Sequence, residues 1–213
     1  MEYMKTLPDK HFDLACVDPP YGIGADEAQN SAAEQRIKAG GKSKAGRGWK
    51  LYKKTEWDRH APDSEYFVEL KRVSIHQIIW GYNHFLTSWP VNSAGWVVWN
   101  KMQREFSLAD GELAFTSFDR ALRIFDMSRG EAMSNNKERF HPTQKPIKLY
   151  EWLLTNYAKP GQKILDTHLG SGSSAIAAHY FGCDFVGCEL DKDYYDAACK
   201  RFDQATRQQA MAI

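Results

Sequence analysis

The strongest constraint on the fold is a strand pattern, a glycine turn and a helix pattern in direct succession near the end of the chain. Lys163–Asp166 is a short apolar run, Ser173–Phe181 has the composition of a helix, and Asp184–Glu189 is again typical of a strand. Two strands joined by a helix are typical of a right-handed crossover between parallel neighbours. The sequence therefore predicts an α/β fold with a mostly parallel sheet.

The same alternation extends through most of the chain. Ser64–Val73 is helix-like because its apolar residues recur at intervals of three. Glu112–Phe115 and Ala121–Phe125 resemble two strands joined by a turn around Ser117–Arg120. Further strands are predicted at Phe12–Val17, Ile75–Trp80 and Gly95–Trp99, and further helices at Ile147–Tyr157 and from Asp193 to Arg201.

Composition narrows the class of protein. The chain has 213 residues, 43% of them hydrophobic, which predicts a single domain with a real core. Its longest plainly apolar stretch, about Ala94–Trp99, is far shorter than the roughly 20 residues that span a bilayer. The four cysteines form no Cys-x-x-Cys pair. We therefore expect a cytoplasmic domain over residues 1–213, with no metal and no membrane partner.

The net charge of +1 conceals an uneven distribution. Gln29–Lys54 contains eight basic residues, one acidic residue and four glycines, so it carries +7 while the rest of the chain carries −6. With few large apolar residues, this segment predicts a mobile basic surface loop. Ser128–Lys145 is also polar and without hydrophobic periodicity, so it is predicted to be a loop too.

The glycine turn after Asp166 suits a ligand. Gly170-Ser171-Gly172 lets the backbone approach a bound molecule and lets a helix begin directly after the strand. Glu189 ends the next strand 23 residues beyond Asp166, a spacing that fits a carboxylate accepting hydrogen bonds from ribose hydroxyls. The same pattern is compatible with a dinucleotide oxidoreductase or with a tight structural turn.

The sequence Asp18-Pro19-Pro20-Tyr21 directly follows a strand pattern. Two prolines remove two backbone donors and make a rigid turn that presents carbonyl acceptors, one carboxylate and one aromatic ring. Such a turn suits a planar base that bears an amino group. Asp18 and the Pro19 carbonyl can each accept one N–H bond, which directs the nitrogen lone pair at an electrophile. The simpler interpretation is a proline-rich turn with an aspartate cap.

Together these motifs resemble those of the S-adenosylmethionine-dependent amino-methyltransferases of DNA. Asp18–Tyr21 matches the catalytic motif of that family, Asp166–Gly172 its cofactor loop, and Glu189 its ribose acid. The catalytic motif precedes the cofactor loop, as in the permuted class usually called beta. The resemblance implies a Rossmann-like three-layer sandwich with circularly permuted motif order, and a bacterial or phage origin.

The resemblance also implies the site. The segment His141–Pro146 matches the one that precedes a helix beside the methionine end of the cofactor. The cofactor implied is S-adenosyl-L-methionine. The implied catalytic residues are Asp18, Pro19, Pro20 and Tyr21, and the implied cofactor-binding residues are Asp166, His168, Gly170, Ser171, Gly172, Glu189, Lys145 and Pro146.

The implied substrate is double-stranded DNA with the target base flipped out. Within the family, Asp at position 18 favours N6 of adenine, whereas relatives that modify N4 of cytosine more often carry Ser. Bases in the glycine-rich segment can contact phosphates in a sequence-neutral way. A short target-recognition region is expected at about 100–140, and a homodimer is left open. The DNA-binding candidates are Lys38, Lys42, Lys44, Arg47, Lys50, Lys53 and Lys54.

Two departures from the family pattern leave alternatives open. Asp166-Thr167-His168 stands where the family usually has Asp-Pro-Phe, and relatives tend to carry a further strand before the position of Met1. Both predict weaker packing around the cofactor. The alternatives are a methyltransferase for N4 of cytosine or for an RNA base, a catalytically inactive DNA-binding homologue, and a nicotinamide oxidoreductase.

Overall fold

The computed structural model of the chain describes residues 1–40, 58–104, 109–134 and 140–207. The helices are α1 (Glu2–Lys5), α2 (Ala25–Lys38), α3 (Ser64–Val73), α4 (Arg129–Ser134), α5 (Ile147–Tyr157), α6 (Ser173–Phe181) and α7 (Lys192–Arg207), with a 3₁₀ turn at Tyr82–His84. The strands are β1 (Phe12–Val17), β2 (Ser74–Trp80), β3 (Trp96–Asn100), β4 (Gly111–Thr116), β5 (Arg123–Asp126), β6 (Lys163–Asp166) and β7 (Asp184–Gly187).

The described strands form one sheet in the order β5-β3-β4-β2-β1-β6-β7. β1 lies near the centre and is parallel to β2 on one side and to β6 on the other, and β7 is parallel to β6. Only β4 runs against its neighbours β2 and β3. The predicted α/β fold with a mostly parallel sheet is therefore confirmed.

The two central crossovers lie on opposite faces of this sheet. α3, which connects β1 to β2, packs on one face through Phe67 and Leu70. α6, which connects β6 to β7, packs on the other through Ala177 and Ala178. The chain therefore diverges between β1 and β6, and ligands of open α/β sheets bind in the crevice at such a point, outside the carboxyl ends of the strands.

Successive side chains of β2 point to opposite faces of the sheet and pack against the helices on each face. Ile78 and Trp80 are buried on the face covered by α5 and α6, whereas Ile79 is buried on the face covered by α3. α5 presents Leu149 and Leu153 to the same core as Trp80, one helical turn apart. Each fully buried side chain of this kind contributes roughly 1.5–3 kcal/mol.

The prediction that β4 and β5 form a pair is wrong. β5 instead pairs in parallel with β3, on the side away from β4. The residues between them do not turn back, because the Ser117 amide donates to the Gln77 carbonyl in the middle of β2. Arg120 then donates to the Asn156 carbonyl at the end of α5. These contacts carry the chain across the sheet to its outer edge.

Both predicted loops contain helix. Gln29–Lys38, the first part of the expected basic loop, belongs to α2, and Ser128–Lys145 contains α4. α2 has almost no apolar stripe, but its Ala, Glu, Gln, Arg and Lys residues are strong helix formers. A prediction based on apolar periodicity therefore missed it. The remainder of the basic segment, from residue 41 to 54, lies outside the described residues.

Within the described residues, none of the helices has the length and apolar character needed to cross a membrane. The same part of the chain contains no group of three or more His, Cys, Asp or Glu side chains arranged to hold a metal ion.

Candidate active site

The turn after β1 is fixed by a carboxylate from another part of the chain. Asp58 is buried and its Oδ1 accepts the amides of Tyr21 (2.6 Å) and Gly22 (3.0 Å), while its Oδ2 accepts the amide of Ala25 (2.8 Å). One side chain therefore holds both the end of the Asp-Pro-Pro-Tyr motif and the first residue of α2. The motif alone gave no sign of this partner.

The Tyr21 ring is held on several sides. Its hydroxyl donates to Asp18 Oδ1 at 2.8 Å, and its ring stacks on His84 with centroids 5.0 Å apart and an interplanar angle of 11°. Gly81 lies directly beneath the ring, with φ of +68°, and a Cβ there would collide with Tyr21. The glycine after β2 is therefore required both by its backbone conformation and by the close approach of the ring.

Asp18 faces a lysine from the segment before α5. Lys145 Nζ lies 2.5 Å from Asp18 Oδ2 and 3.0 Å from Glu112 Oε2. Lys101 Nζ lies 2.7 Å from the other oxygen of Glu112. These four side chains, which we call the charge cluster, alternate in sign from the ends of β3 and β4 to the turn after β1. The Lys145 side chain is only 5% exposed.

Burial and pairing compete at each member of the charge cluster. Burial raises the pKa of the Asp18 carboxyl, although Lys145 acts against the rise. Burial alone would lower the pKa of Lys145, but Asp18 and Glu112 outweigh it, so the pKa is raised. Burial also opposes ionisation of Glu112, yet Lys145 and Lys101 lower its pKa to about 2. Lys145 is therefore a resident cation beside Asp18.

The turn after β6 is built around two carboxylates. Asp166 is buried, accepts the Ser174 hydroxyl at 2.6 Å and accepts the backbone amide of His168 at 3.0 Å. Glu189, just beyond β7, accepts the Gly170 amide at 2.9 Å. The predicted ribose acid and the predicted glycine loop therefore touch each other.

Within the described residues, Asp166 forms no ion pair with a Lys or Arg side chain. Burial raises its pKa to about 7, against the hydrogen bonds from Ser174 and His168, and the charges of Asp18 and Glu189 raise it further. The Asp18 and Glu189 carboxylates are thus close enough to act on Asp166, and a cation that bound beside Asp166 would favour its ionised form.

Lys145 also joins the two turns through its backbone. The Ser173 hydroxyl, in the first turn of α6, donates to the Lys145 carbonyl at 2.7 Å. Arg201 from α7 donates to the Ser171 carbonyl at 2.7 Å and to the Ser173 hydroxyl at 2.9 Å. Lys145, which is predicted to bind cofactor, therefore contacts Asp18 with its side chain and the helix after the glycine loop with its carbonyl.

The unusual residues after Asp166 have partners of their own. The Tyr66 hydroxyl and Thr167 Oγ1 are 2.6 Å apart, and Thr167 Oγ1 is hydrogen-bonded to His168 Nδ1 at 3.0 Å. The His168 ring also packs edge-on against Tyr66, with centroids 5.5 Å apart. Burial lowers the pKa of His168 to about 4, so its imidazole is neutral at physiological pH. The His168 ring therefore packs against an aromatic neighbour, Tyr66.

The other candidates lie as follows. Pro19 is buried beneath the turn, and Pro146 is the cap before α5. Lys38 ends α2 and is exposed, at a distance of about 20 Å along the helix from Ala25. The remaining DNA-binding candidates, Lys42, Lys44, Arg47, Lys50, Lys53 and Lys54, lie outside the described residues, as does part of the expected recognition region.

Sequence reasoning missed several members of the site. Asp58 and His84 stand in no recognisable motif. Glu112 carried a usable signal, because it is a charged residue at the start of an otherwise apolar strand, Gly111–Thr116. A carboxylate in such a position needs a partner.

Residues 76–200 match the family model of the N6/N4 methyltransferases, described as DNA methylase. This match covers more than half of the chain. The chain belongs to the N6/N4 DNA methylase family. The resemblance drawn from Asp18–Tyr21 and the glycine loop is thereby confirmed at the level of the family.

Known proteins extend the likeness over nearly the whole chain. YubD of Escherichia coli strain K12, which is named as a methylase, is 27% identical over 96% of this chain and 87% of its own length. The type II methyltransferase M.HinfI of Haemophilus influenzae is 24% identical over 94% of this chain, which spans 66% of M.HinfI.

A solved structure shares the fold. TTHA0409 of Thermus thermophilus, which is named as a DNA modification methylase and is complexed with S-adenosyl-L-methionine, superposes with a TM-score of 0.58. It is 15% identical, and the match covers 96% of this chain and 92% of that one. The Rossmann-like methyltransferase fold predicted from the sequence is confirmed.

Proposed function

We propose that this chain transfers a methyl group from S-adenosyl-L-methionine to the exocyclic N6 of adenine in double-stranded DNA. The observation that carries the proposal is the double contact of Lys145. Its ammonium contacts Asp18 and its carbonyl accepts from Ser173, so the base-binding turn and the cofactor loop share one wall. A donor and an acceptor of a methyl group need this proximity.

The crevice fits this cofactor. S-adenosyl-L-methionine carries a sulphonium and an ammonium, and Asp166 lies in the turn after β6, where burial raises its pKa to about 7 and a nearby cation would favour its carboxylate form. Glu189 is the acceptor for ribose hydroxyls. Leu190, the next residue, is fully exposed, so it offers an apolar contact for the adenine ring of the cofactor.

When bound, the cofactor supplies an electrophilic methyl group, and the electron pair of the broken carbon–sulphur bond stays on sulphur. Asp18 accepts one N–H of the base amino group, and the Pro19 carbonyl accepts the other. These bonds strengthen as positive charge develops on the nitrogen, so they stabilise the transition state more than the bound base. The nitrogen then releases one proton, for which Asp18 is the adjacent acceptor on the way to solvent.

Tyr21 supplies the stacking surface for the base. One face of its ring is in contact with His84, which is exposed and belongs to the short 3₁₀ turn after β2. A flipped base that stacks on this face takes the position of the imidazole. Rotating a base out of the duplex costs a few kcal/mol, and stacking on Tyr21 offsets part of that cost.

The basic segment is tied to the same turn. Residues 25–58 leave the catalytic turn at Ala25 and return to it at Asp58, whose side chain holds both ends together. The segment therefore begins and ends beside the proposed base site. We propose that Lys38 and the bases of residues 42–54 contact phosphates, that residues 100–140 supply base recognition, and that residues 1–213 act as one methyltransferase domain.

Asp18 supports adenine as the base. In the family resemblance, an Asp-Pro-Pro-Tyr motif favours adenine, whereas Ser in the first position is more frequent among cytosine-N4 enzymes. The family name covers both amino groups, so the base requires a direct measurement.

The experiment is incubation of DNA and labelled S-adenosyl-L-methionine with the protein, followed by identification of the modified nucleoside. We expect N6-methyladenine from the wild type and none from Asp18→Ala. Asp13→Ala is the matched control, because Asp13 lies in the same strand but accepts the Lys163 amide outside the site. N4-methylcytosine, or methylation of RNA alone, would contradict the choice of substrate. Retained DNA binding without any transfer would contradict the proposed activity.

A further inference from the structure

A second carboxylate shares the lysine that faces Asp18. Glu112 Oε2 lies 3.0 Å from Lys145 Nζ, and Asp18 Oδ2 lies 2.5 Å from the same nitrogen. One ammonium therefore bridges two carboxylates. Glu112 can reach this point because β4 is antiparallel to β2, which brings the beginning of β4 to the edge where the parallel strands end.

Glu112 is itself held from behind. Lys101 Nζ contacts Glu112 Oε1 at 2.7 Å and lies over the Trp99 ring, 5.2 Å from its centroid. Lys145 likewise lies over the Trp80 ring, 5.4 Å from the centroid. Both ammonium groups thus have a carboxylate and an aromatic face as partners, which restricts where they can move.

This cluster is a poor means of stabilising a fold. Taking charges out of water is costly, and a well-packed apolar set of the same volume is often at least as stable. Two positive and two negative charges can nevertheless fix the position of one carboxylate and limit how far it is neutralised. Asp18 is the only member of the charge cluster that belongs to the motif proposed to bind the base.

We propose that Glu112, backed by Lys101, is a positioning residue for methyl transfer: it takes up part of the Lys145 interaction, so Asp18 remains a strong acceptor for the base amino group. The proposal rests on the proposed function, in which Asp18 accepts that amino group. Lys145 holds Asp18 in place, and Glu112 limits how far Lys145 neutralises it.

The proposal predicts opposite effects for the two residues behind Lys145. In Glu112→Gln, Lys145 faces Asp18 as its single carboxylate partner, so the pKa of Asp18 should fall. In Lys101→Met, Glu112 is left with Lys145 and draws it away, so the pKa of Asp18 should rise. A residue with a merely structural role would give loss of function in both variants and no such reversal.

The other groups around Asp18 are the same in all variants. Among the described residues, the titratable side chains that interact with it, besides Lys145 and Glu112, are Tyr21, Cys16, Tyr66, Tyr150 and Asp166. Differences between the variants therefore report the charge cluster.

The experiment follows the Asp18 carboxyl by NMR in the full chain labelled with ¹³C at aspartate, without cofactor, with the signal assigned by its loss in Asp18→Asn. We expect the Asp18 titration to move down by about one pH unit in Glu112→Gln and up in Lys101→Met. We also expect the single-turnover methylation rate of Glu112→Gln to fall about three- to tenfold, with DNA affinity within about twofold and the acid limb of the rate profile at lower pH.

The matched control is Glu131→Gln. Glu131 also pairs with a lysine, Lys148 at 3.4 Å, but on the surface and outside the charge cluster. It should alter neither the Asp18 titration nor the rate.

An unchanged Asp18 titration in folded Glu112→Gln overturns the proposal. A loss of methylation rate without a shift of the Asp18 titration also overturns it. If Glu112→Gln does not fold, the Asp18 titration of Lys101→Met is the deciding measurement. A pKa of Asp18 that does not rise in Lys101→Met overturns the proposal. The proposed function fails separately, if the wild type transfers no methyl group to DNA, and the NMR titration of Asp18 is measured without any methylation activity.

Discussion

Asp166 gives the most direct quantitative test of the site. It is buried, its carboxylate accepts hydrogen bonds from Ser174 and from the His168 amide, and burial raises its pKa to about 7 from an ordinary value of 3.8. Replacement by Asn keeps the shape and removes the charge. We expect Asp166→Asn to be more stable than the wild type at pH 8 when no cofactor is present.

The magnitude follows from the linkage between protonation and folding. The native state holds the Asp166 proton more tightly than the unfolded chain does, so wild-type stability is lost as pH rises from about 4 to about 7. Each pKa unit corresponds to 1.36 kcal/mol, so the full difference is about 4 kcal/mol. Asn has no such titration. The stability difference between variant and wild type should therefore grow by about 1.4 kcal/mol for each pH unit in this window.

The assay is urea unfolding of the cofactor-free protein at several values between about pH 5 and pH 8, with the free energy of unfolding compared at each. Ser174→Ala is an informative partner, because removing a donor to the carboxylate should raise the pKa of Asp166 further and destabilise the native state most at high pH. A stability difference that does not change with pH would refute the reasoning about a buried, unneutralised carboxylate.

Three further predictions concern other parts of the site. Gly81→Ala should lower the free energy of unfolding by about 1–2 kcal/mol, because φ of Gly81 is +68°. It should also reduce methylation more than DNA binding, because the new Cβ displaces Tyr21. Unchanged methylation activity would contradict this prediction. His168→Phe should change the Kd for S-adenosyl-L-methionine by less than about threefold, a difference in binding free energy below about 1 kcal/mol. A tenfold loss of methylation rate would instead give the imidazole a chemical role. A charge-reversal variant of the basic segment replaces Lys42, Lys44, Arg47 and Lys50 with Glu. It should weaken DNA binding and reduce the salt dependence of that binding. Unchanged affinity at physiological salt would exclude the segment from the DNA interface.

The parts of the fold that the sequence predicted are those with local signals. α3 and α5 have apolar residues at helical spacing, and β6 is followed by the glycines of a tight turn. α2 was missed because its helical preference comes from composition rather than from an apolar face. The pairing of β5 with β3 was missed because it depends on contacts between residues 117–120 and distant elements.

The same distinction applies to the site. Asp18, Tyr21 and Asp166 could be named because each stands in a short turn motif, and Glu189 because it lies 23 residues beyond Asp166, one strand–helix–strand unit along the chain. The charges that act on them come from far along the chain, as with Glu112, which meets Lys145 across 33 positions. Pairing at such a distance in sequence leaves no periodic pattern. A charged residue within an apolar strand is the one local hint.

Asp58 has a consequence for how such a protein can change. Its carboxylate joins both ends of residues 25–58 to the turn after β1, through the amides of Tyr21, Gly22 and Ala25. The entropy of closing a loop rises only with the logarithm of its length, by about 0.6 kcal/mol per doubling. We therefore expect insertions and deletions between α2 and Asp58 to cost little free energy and to leave the position of Tyr21 unaltered. On this expectation, the positively charged segment can vary in length among related proteins while the turn that carries Tyr21 stays the same.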